Sequence, residues 1–213
     1  MSYNMWGAGK TAPQQQRGSE DEGLSFSEKM AKYHKPLVAF DRDGVMFKTT
    51  GEPITRETAE PIIDSFKAVA MIRRKGYKIA MICDQPFISA GLITHEQVED
   101  VNKLTIELLG RWNCPSIDMM LYNESNQKHD IFAKPNTGMF KRLKEEFMIP
   151  YKGGWYVGDQ VVDAKMAMKA RMRPILLRTG LLDDKKMNSF ANKQLKRQTK
   201  VYDNFLEFAE TLI

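Results

Sequence analysis

Short apolar runs alternate along this chain with segments whose apolar residues recur at helical spacing. The runs are Leu37–Phe40, Lys78–Cys83, Ile117–Leu121, Gly154–Val157 and Pro174–Leu177. Between them, residues 58–74, 97–109, 137–147 and 162–170 show helical periodicity, and Gly76 ends the first helix. Runs this short, without polar alternation, are strands buried on both faces. Alternation of strand and helix predicts an α/β fold of the Rossmann-like kind, a parallel sheet with helices on both faces. The segment Phe205–Ile213 reads as a closing helix.

In such a sheet, ligands gather at the carboxyl ends of the strands. Polar residues follow the strands repeatedly here. Asp41, Arg42, Asp43 and Gly44 follow the first, Cys83, Asp84 and Gln85 the second, and Gly158 and Asp159 the fourth, with Asp163 four residues on. Lys134, in K-P-N-T-G-M, precedes a helix between the third and fourth strands. Two acids as close as Asp41 and Asp43 repel unless a cation sits between them or one keeps a proton. Converging carboxylates with a lysine suit a hard cation held by oxygens, such as Mg²⁺ with a substrate phosphate. Singly, each feature has a plainer reading: Asp41 to Gly44 as a polar turn, Asp159 as a helix cap, Asp163 as helix surface, Lys134 as loop. All of them in register with strand ends point to one site.

The 213 residues, 42% hydrophobic and 28% charged, suffice for one globular domain, placed at 33–213. Residues 1–32 are polar and Gln/Gly/Glu-rich, the composition of a flexible arm. That arm contains G-A-G-K-T from Gly7 to Thr11, but Asn4 stands where a phosphate loop needs its first glycine. A net charge of +5 accommodates phosphorylated ligands without establishing nucleic-acid binding. The basic stretch from Asp183 to Arg197 reads first as a solvated face, so nucleic acid is the weaker candidate partner. Two cysteines, Cys83 and Cys114, exclude a disulfide framework or Cys-rich zinc site. His34, His95 and His129 lack metal-ligand spacing. No apolar run reaches the roughly 18 residues of a membrane span, and the N-terminus lacks an apolar signal core. A cytoplasmic protein is expected, of undetermined oligomeric state.

The motifs resemble those of the haloacid dehalogenase (HAD)-like phosphohydrolases. D-R-D-G-V (Asp41 to Val45) is similar to D-x-D-G-[TV], and Gly158 to Asp163 is similar to G-D-x-x-x-D. Lys134 matches the lysine of the third motif. C-D-Q-P-F-I-S-A-G-L-I-T (Cys83 to Thr94) and K-P-N-T-G-M resemble the D-glycero-D-manno-heptose 1,7-bisphosphate phosphatase and histidinol-phosphatase group. The resemblance implies an uncapped phosphatase core, since the connections after the first two strands leave no room for a large cap domain.

It further implies Asp41 as nucleophile, forming an aspartyl-phosphate, and Asp43 as general acid and base. Mg²⁺ would bind the Asp41 carboxylate, the Asp43 main-chain carbonyl and Asp159. Lys134 would balance charge, with Asp163 orienting it or a metal-bound water. Cys83, Asp84, Gln85 and Lys134 would lie on the phosphate or substrate side, with Arg42 either there or in a salt bridge. The chain departs from the group at four places. Cys83 replaces a hydroxyl residue, and a thiol donates only weakly. Asp84 replaces an amide and would repel phosphate if it pointed inward. Ala133 replaces an arginine before the lysine, and Asn123 to Phe132 lacks the zinc-binding cysteines of many relatives. The expected substrate is a sugar phosphate, heptose-bisphosphate-like, or a related small metabolite. A polynucleotide 3′-phosphatase and a weakened phosphate-binding scaffold on the same core are the alternatives.

Overall fold

The computed structural model describes residues 35–127, 129–182 and 193–213. The expected arm and the first part of the basic stretch, residues 183–192, lie outside the described residues. Six parallel strands form one sheet in the order β3-β2-β1-β4-β5-β6. They are β1 (Leu37–Phe40), β2 (Lys78–Asp84), β3 (Met119–Asn123), β4 (Trp155–Gly158), β5 (Arg173–Leu177) and β6 (Lys200–Tyr202). Among the described residues the helices are α1 (Ile63–Arg74), α2 (His95–Gly110), α3 (Gly138–Glu145), α4 (Val161–Lys169), α5 (Lys193–Gln198) and α6 (Phe205–Glu210). The strand order reverses direction between β1 and β4, which pair Phe40 with Val157. In open α/β sheets such a switch point opens a crevice at the carboxyl edge.

Alternate strand residues serve opposite faces. Val38, Phe40, Ile79, Met81 and Val157 pack against Phe66, Val69 and Ile72 of α1 and Phe205 and Phe208 of α6. Leu37, Ala39, Ala80, Ile82 and Tyr156 pack against Phe140 and Leu143 of α3 and Met166 and Ala167 of α4. The helices thus cover both faces, as the alternation predicts. The connections 41–62 and 85–94 contain no further helix or strand, only isolated bridges Asp43–Phe47 and Phe47–Pro61, so no large cap domain is built there.

Two readings are corrected. The first helix begins at Ile63 rather than Thr58. Thr55 to Thr58 folds as a turn on its own hydroxyls, and Pro61 is held in a bridge to Phe47; a residue before proline avoids the helical region. The sheet also gains a sixth strand, because the short Lys200–Tyr202 segment pairs with β5.

Candidate active site

At the carboxyl edge of β1, the backbone N–H of Asp41 still donates to Val157 O at 2.9 Å, so Asp41 leaves the strand at a fixed place. Its Oδ1 accepts the Arg42 N–H at 2.8 Å, and its Oδ2 lies 2.5 Å from Lys134 Nζ. Lys134 Nζ also ion-pairs with Asp163 Oδ1 at 2.9 Å, and its side chain is 4% exposed. The same ammonium lies 5.4 Å above the ring of Tyr156, whose hydroxyl donates to Ile82 O at 2.6 Å. A buried cation over a ring fixed in orientation gains from the ring's negative face.

Asp163 sits in the first turn of α4, and its Oδ2 accepts the N–H groups of Asp159 (3.2 Å) and Gln160 (2.9 Å). A carboxylate there satisfies orphan amides of the helix start and complements its dipole. Asp159, at the end of β4, accepts the Leu181 N–H on Oδ2 at 2.7 Å, while its buried Oδ1 has no hydrogen-bond partner among the described residues. Two glycines make room for this carboxylate: a Cβ at either Gly44 or Gly180 would overlap Asp159 Oδ2. Gly44 additionally holds φ +81°, which glycine adopts without strain. Thr179 Oγ1 donates to Gly44 O at 2.7 Å, tying the loop after β5 to the turn after β1.

One carboxylate oxygen each from Asp41, Asp159 and Asp163 lies within 4.8 Å of the others. Burial raises the pKa of Asp41 well above the ordinary carboxylate range; Lys134 opposes the shift, while Asp163 and Asp159 add to it. Burial and Asp163 push Asp159 up to about 7. Burial also works against the charge of Lys134, but Asp163 and Asp41 outweigh it and raise its pKa. Three buried carboxylates thus share one lysine, a deficit of two positive charges that a divalent cation matches. The all-oxygen donor set and the unpartnered Asp159 Oδ1 suit a hard ion such as Mg²⁺.

Asp43 lies at the mouth, its side chain 21% exposed. Arg42 Nε donates to its Oδ1 at 2.7 Å and Gln85 Nε2 to its Oδ2 at 2.9 Å. Asp43 borders a cleft of about 340 Å³, lined also by Asp41, Asp84, Lys134 and Asp163 among others.

Three residues expected on the substrate side stand behind the wall instead. Arg42 is fully buried and turns toward α2, with Nη1 3.4 Å from Val98 O and 3.3 Å from Asn102 Oδ1. It occupies the salt-bridging alternative. Gln85 is buried beneath Asp43. Cys83 points to the α2 side of the sheet, among Ile93, Val98 and Tyr122, where burial pushes its thiol up to about 12. The alternation of β2 explains this, because turning Cys83 away turns Asp84 toward Lys134. Asp84 accepts the Lys134 N–H at 2.9 Å and the Asn123 amide at 3.3 Å. Tyr156, Asn123, Thr179 and Gly180 were not anticipated as site residues; the position of the last two directly after the fifth strand was the available signal.

A parallel sheet whose rim carries these aspartates beside a lysine is that of a HAD-like hydrolase, and residues 131–208 match the HAD-hydrolase-like family. A D-glycero-D-manno-heptose-1,7-bisphosphate 7-phosphatase of Chlorobaculum tepidum is 30% identical over 158 residues, covering 68% of this chain and 79% of its own. A D-glycero-beta-D-manno-heptose-1,7-bisphosphate 7-phosphatase of Pseudomonas aeruginosa is 25% identical over 181 residues, 84% of this chain and 98% of that one. In fold, the chain is similar to the crystal structure of D,D-heptose 1,7-bisphosphate phosphatase from B. bronchiseptica complexed with magnesium and phosphate. The TM-score is 0.74 at 19% identity, covering 83% of this chain and 97% of the other. The chain belongs to the heptose-bisphosphate phosphatase family of HAD-like phosphatases.

Proposed function

We propose that the chain is a Mg²⁺-dependent phosphomonoesterase acting on a sugar phosphate through an aspartyl-phosphate. The observation that supports this most is Asp41 Oδ2, buried 2.5 Å from Lys134 Nζ, beside the unpartnered Asp159 Oδ1. The family's substrates, as the relatives' names give them, are heptose bisphosphates, and a phosphorylated sugar is the substrate class proposed here.

In the first half-reaction an Asp41 oxygen bonds to phosphorus while the ester P–O bond breaks, and Asp43 gives its proton to the leaving alcohol oxygen. The carboxyl group of Asp43 has to turn from Arg42 for this, and its place at the mouth leaves it room. In the second half-reaction water bonds to phosphorus as the Asp41–phosphorus bond breaks, and Asp43 takes the water proton. Lys134 balances negative charge between Asp41 and the phosphoryl oxygens, and Asp163 keeps the ammonium there. Asp41, Asp159 and the Asp43 main-chain carbonyl would hold Mg²⁺. The ion supplies charge neutralisation between two anions, which lowers the barrier to their approach.

The test is phosphate release from a panel of sugar phosphates and one aryl phosphate. Turnover that requires Mg²⁺ and is lost in Asp41→Asn supports the reading, and a panel without any turnover overturns it. No helix among the described residues is long and apolar enough to cross a membrane.

A further inference from the structure

Lys134 reaches Asp41 with its side chain, but its main chain has to be held in place as well. The segment between β3 and α3 is knitted to itself around Asp130. The Asp130 carboxylate accepts the Phe132 N–H at 2.8 Å, and its carbonyl accepts the Ala133 N–H at 3.1 Å and the Asn136 amide at 2.8 Å. Pro135 brings no N–H. The Lys134 N–H instead leaves this knot for the sheet, where it donates to Asp84 Oδ2 at 2.9 Å. Asp84 ends β2 in register with Asn123, which ends β3. The other Asp84 oxygen, Oδ1, accepts the Asn123 amide at 3.3 Å. Asn123 is wholly buried, and Ser125 fixes the way its amide faces: the Ser125 N–H donates to Asn123 Oδ1 at 3.3 Å, and Asn123 Nδ2 donates to Ser125 O at 3.2 Å.

We propose that Asp84 and Asn123 are positioning residues for the reaction: as a pair they fix the main chain of Lys134, and through it the ammonium that faces Asp41. This rests on the phosphatase reading above. An ionised carboxylate only accepts hydrogen bonds, so Asp84 meets one donor with each oxygen. An amide at this place would turn its own NH₂ group toward one of them. Asn123 is unable to turn over in response, because both ends of its amide are held by Ser125. The acid at position 84 is therefore matched to the amide at position 123. A reacting group held this way keeps its geometry only while the groups behind it are complementary.

The experiment compares wild type with Asp84→Asn, Asn123→Asp and the exchanged pair carrying both changes, on one aryl phosphate and one sugar phosphate at saturating Mg²⁺. Each single change is expected to lower kcat about 10–100-fold, the scale of misplacing a reacting group by roughly an ångström, with KM moving much less. In the exchanged pair the amide at 84 accepts the Lys134 N–H and donates to the acid at 123, so kcat recovers several-fold over either single variant. Ser125 O, in a half-buried turn, is left to water there. Exchange of the Lys134 amide hydrogen, followed by NMR, is slow in wild type, faster in the single variants and slow again in the exchanged pair. Should Asn123→Asp not fold, Asp84→Asn against the exchanged pair decides. A merely structural pair would shift the melting temperature and leave kcat of the folded enzyme unchanged. An Asp84→Asn enzyme as fast as wild type, or an exchanged pair no better than Asp84→Asn, overturns the proposal, while wild-type turnover of the aryl phosphate leaves the phosphatase reading intact. Failure of wild type on both esters overturns both.

Discussion

Lys134 Nζ and Asp163 Oδ1 lie 2.9 Å apart with both side chains almost wholly buried, so the ammonium that faces Asp41 is anchored from behind by the first turn of α4. Removing one partner of a buried pair leaves uncompensated charge. Lys134→Met is expected to lose roughly 3–5 kcal/mol of stability at pH 8. The loss should shrink at pH 5, where the stranded carboxyl groups take up protons. Denaturant unfolding at the two pH values measures this, and an equal loss at both would contradict it.

Three carboxylates within reach of one ion make metal binding visible as stability. Mg²⁺ is expected to raise the melting temperature, contributing about 2.7 kcal/mol at a hundredfold excess over its Kd. Asp159→Asn removes a donor and should abolish the Mg²⁺-dependent increment. Above about pH 7, where the wild-type carboxyl group is ionised, it should also raise the melting temperature of the metal-free protein, because one buried charge is gone. Calorimetry with and without a chelator reads both effects.

The metal-free protein should lose stability as the pH rises. Asp159 titrates near 7 in the fold against an ordinary 3.8, because of burial and Asp163. Between those values the folded state holds a proton that the unfolded state has released, so stability falls from about pH 4 to about pH 7. Asp41, raised in the same direction, adds to the fall. Bound Mg²⁺ takes the proton's place, so unfolding curves collected with the ion should lose this slope.

Gly44 and Gly180 close on the Asp159 carboxylate from separate loops. A methyl group at either site has to displace that carboxylate. Gly180→Ala is expected to weaken Mg²⁺ affinity about 10–100-fold, the range seen when groups supporting a metal ligand are changed. Gly44→Ala should do the same and add backbone strain at φ +81°. Half-maximal activation by Mg²⁺ is the readout, and unchanged values would contradict the cradle.

The rim itself was legible in the sequence. Asp41, Asp159 and Asp163 follow strands whose short apolar runs leave little choice of register, and Lys134 precedes a helix by a fixed interval. Orientation was less legible. Neighbouring residues of β2 face opposite sides of the sheet, and only packing decides that Cys83 meets Val98 while Asp84 meets Lys134. Arg42 reads as either substrate-side or salt-bridging, and packing decides for the second: it pairs with Asp43 and is buried against Asn102 of α2. Tyr156 reads as ordinary strand core, yet Lys134 Nζ, distant in sequence, lies 5.4 Å above its ring.

The proposed reaction passes through covalent phosphorylation of Asp41. It is tested most directly by acid quench of the enzyme during turnover, followed by peptide mass spectrometry. One phosphoryl group on the peptide containing Asp41, absent without substrate and absent in Asp41→Asn, is the predicted result. Rapid turnover with that peptide unmodified at every quench time, or turnover that survives Asp41→Asn, would contradict the account.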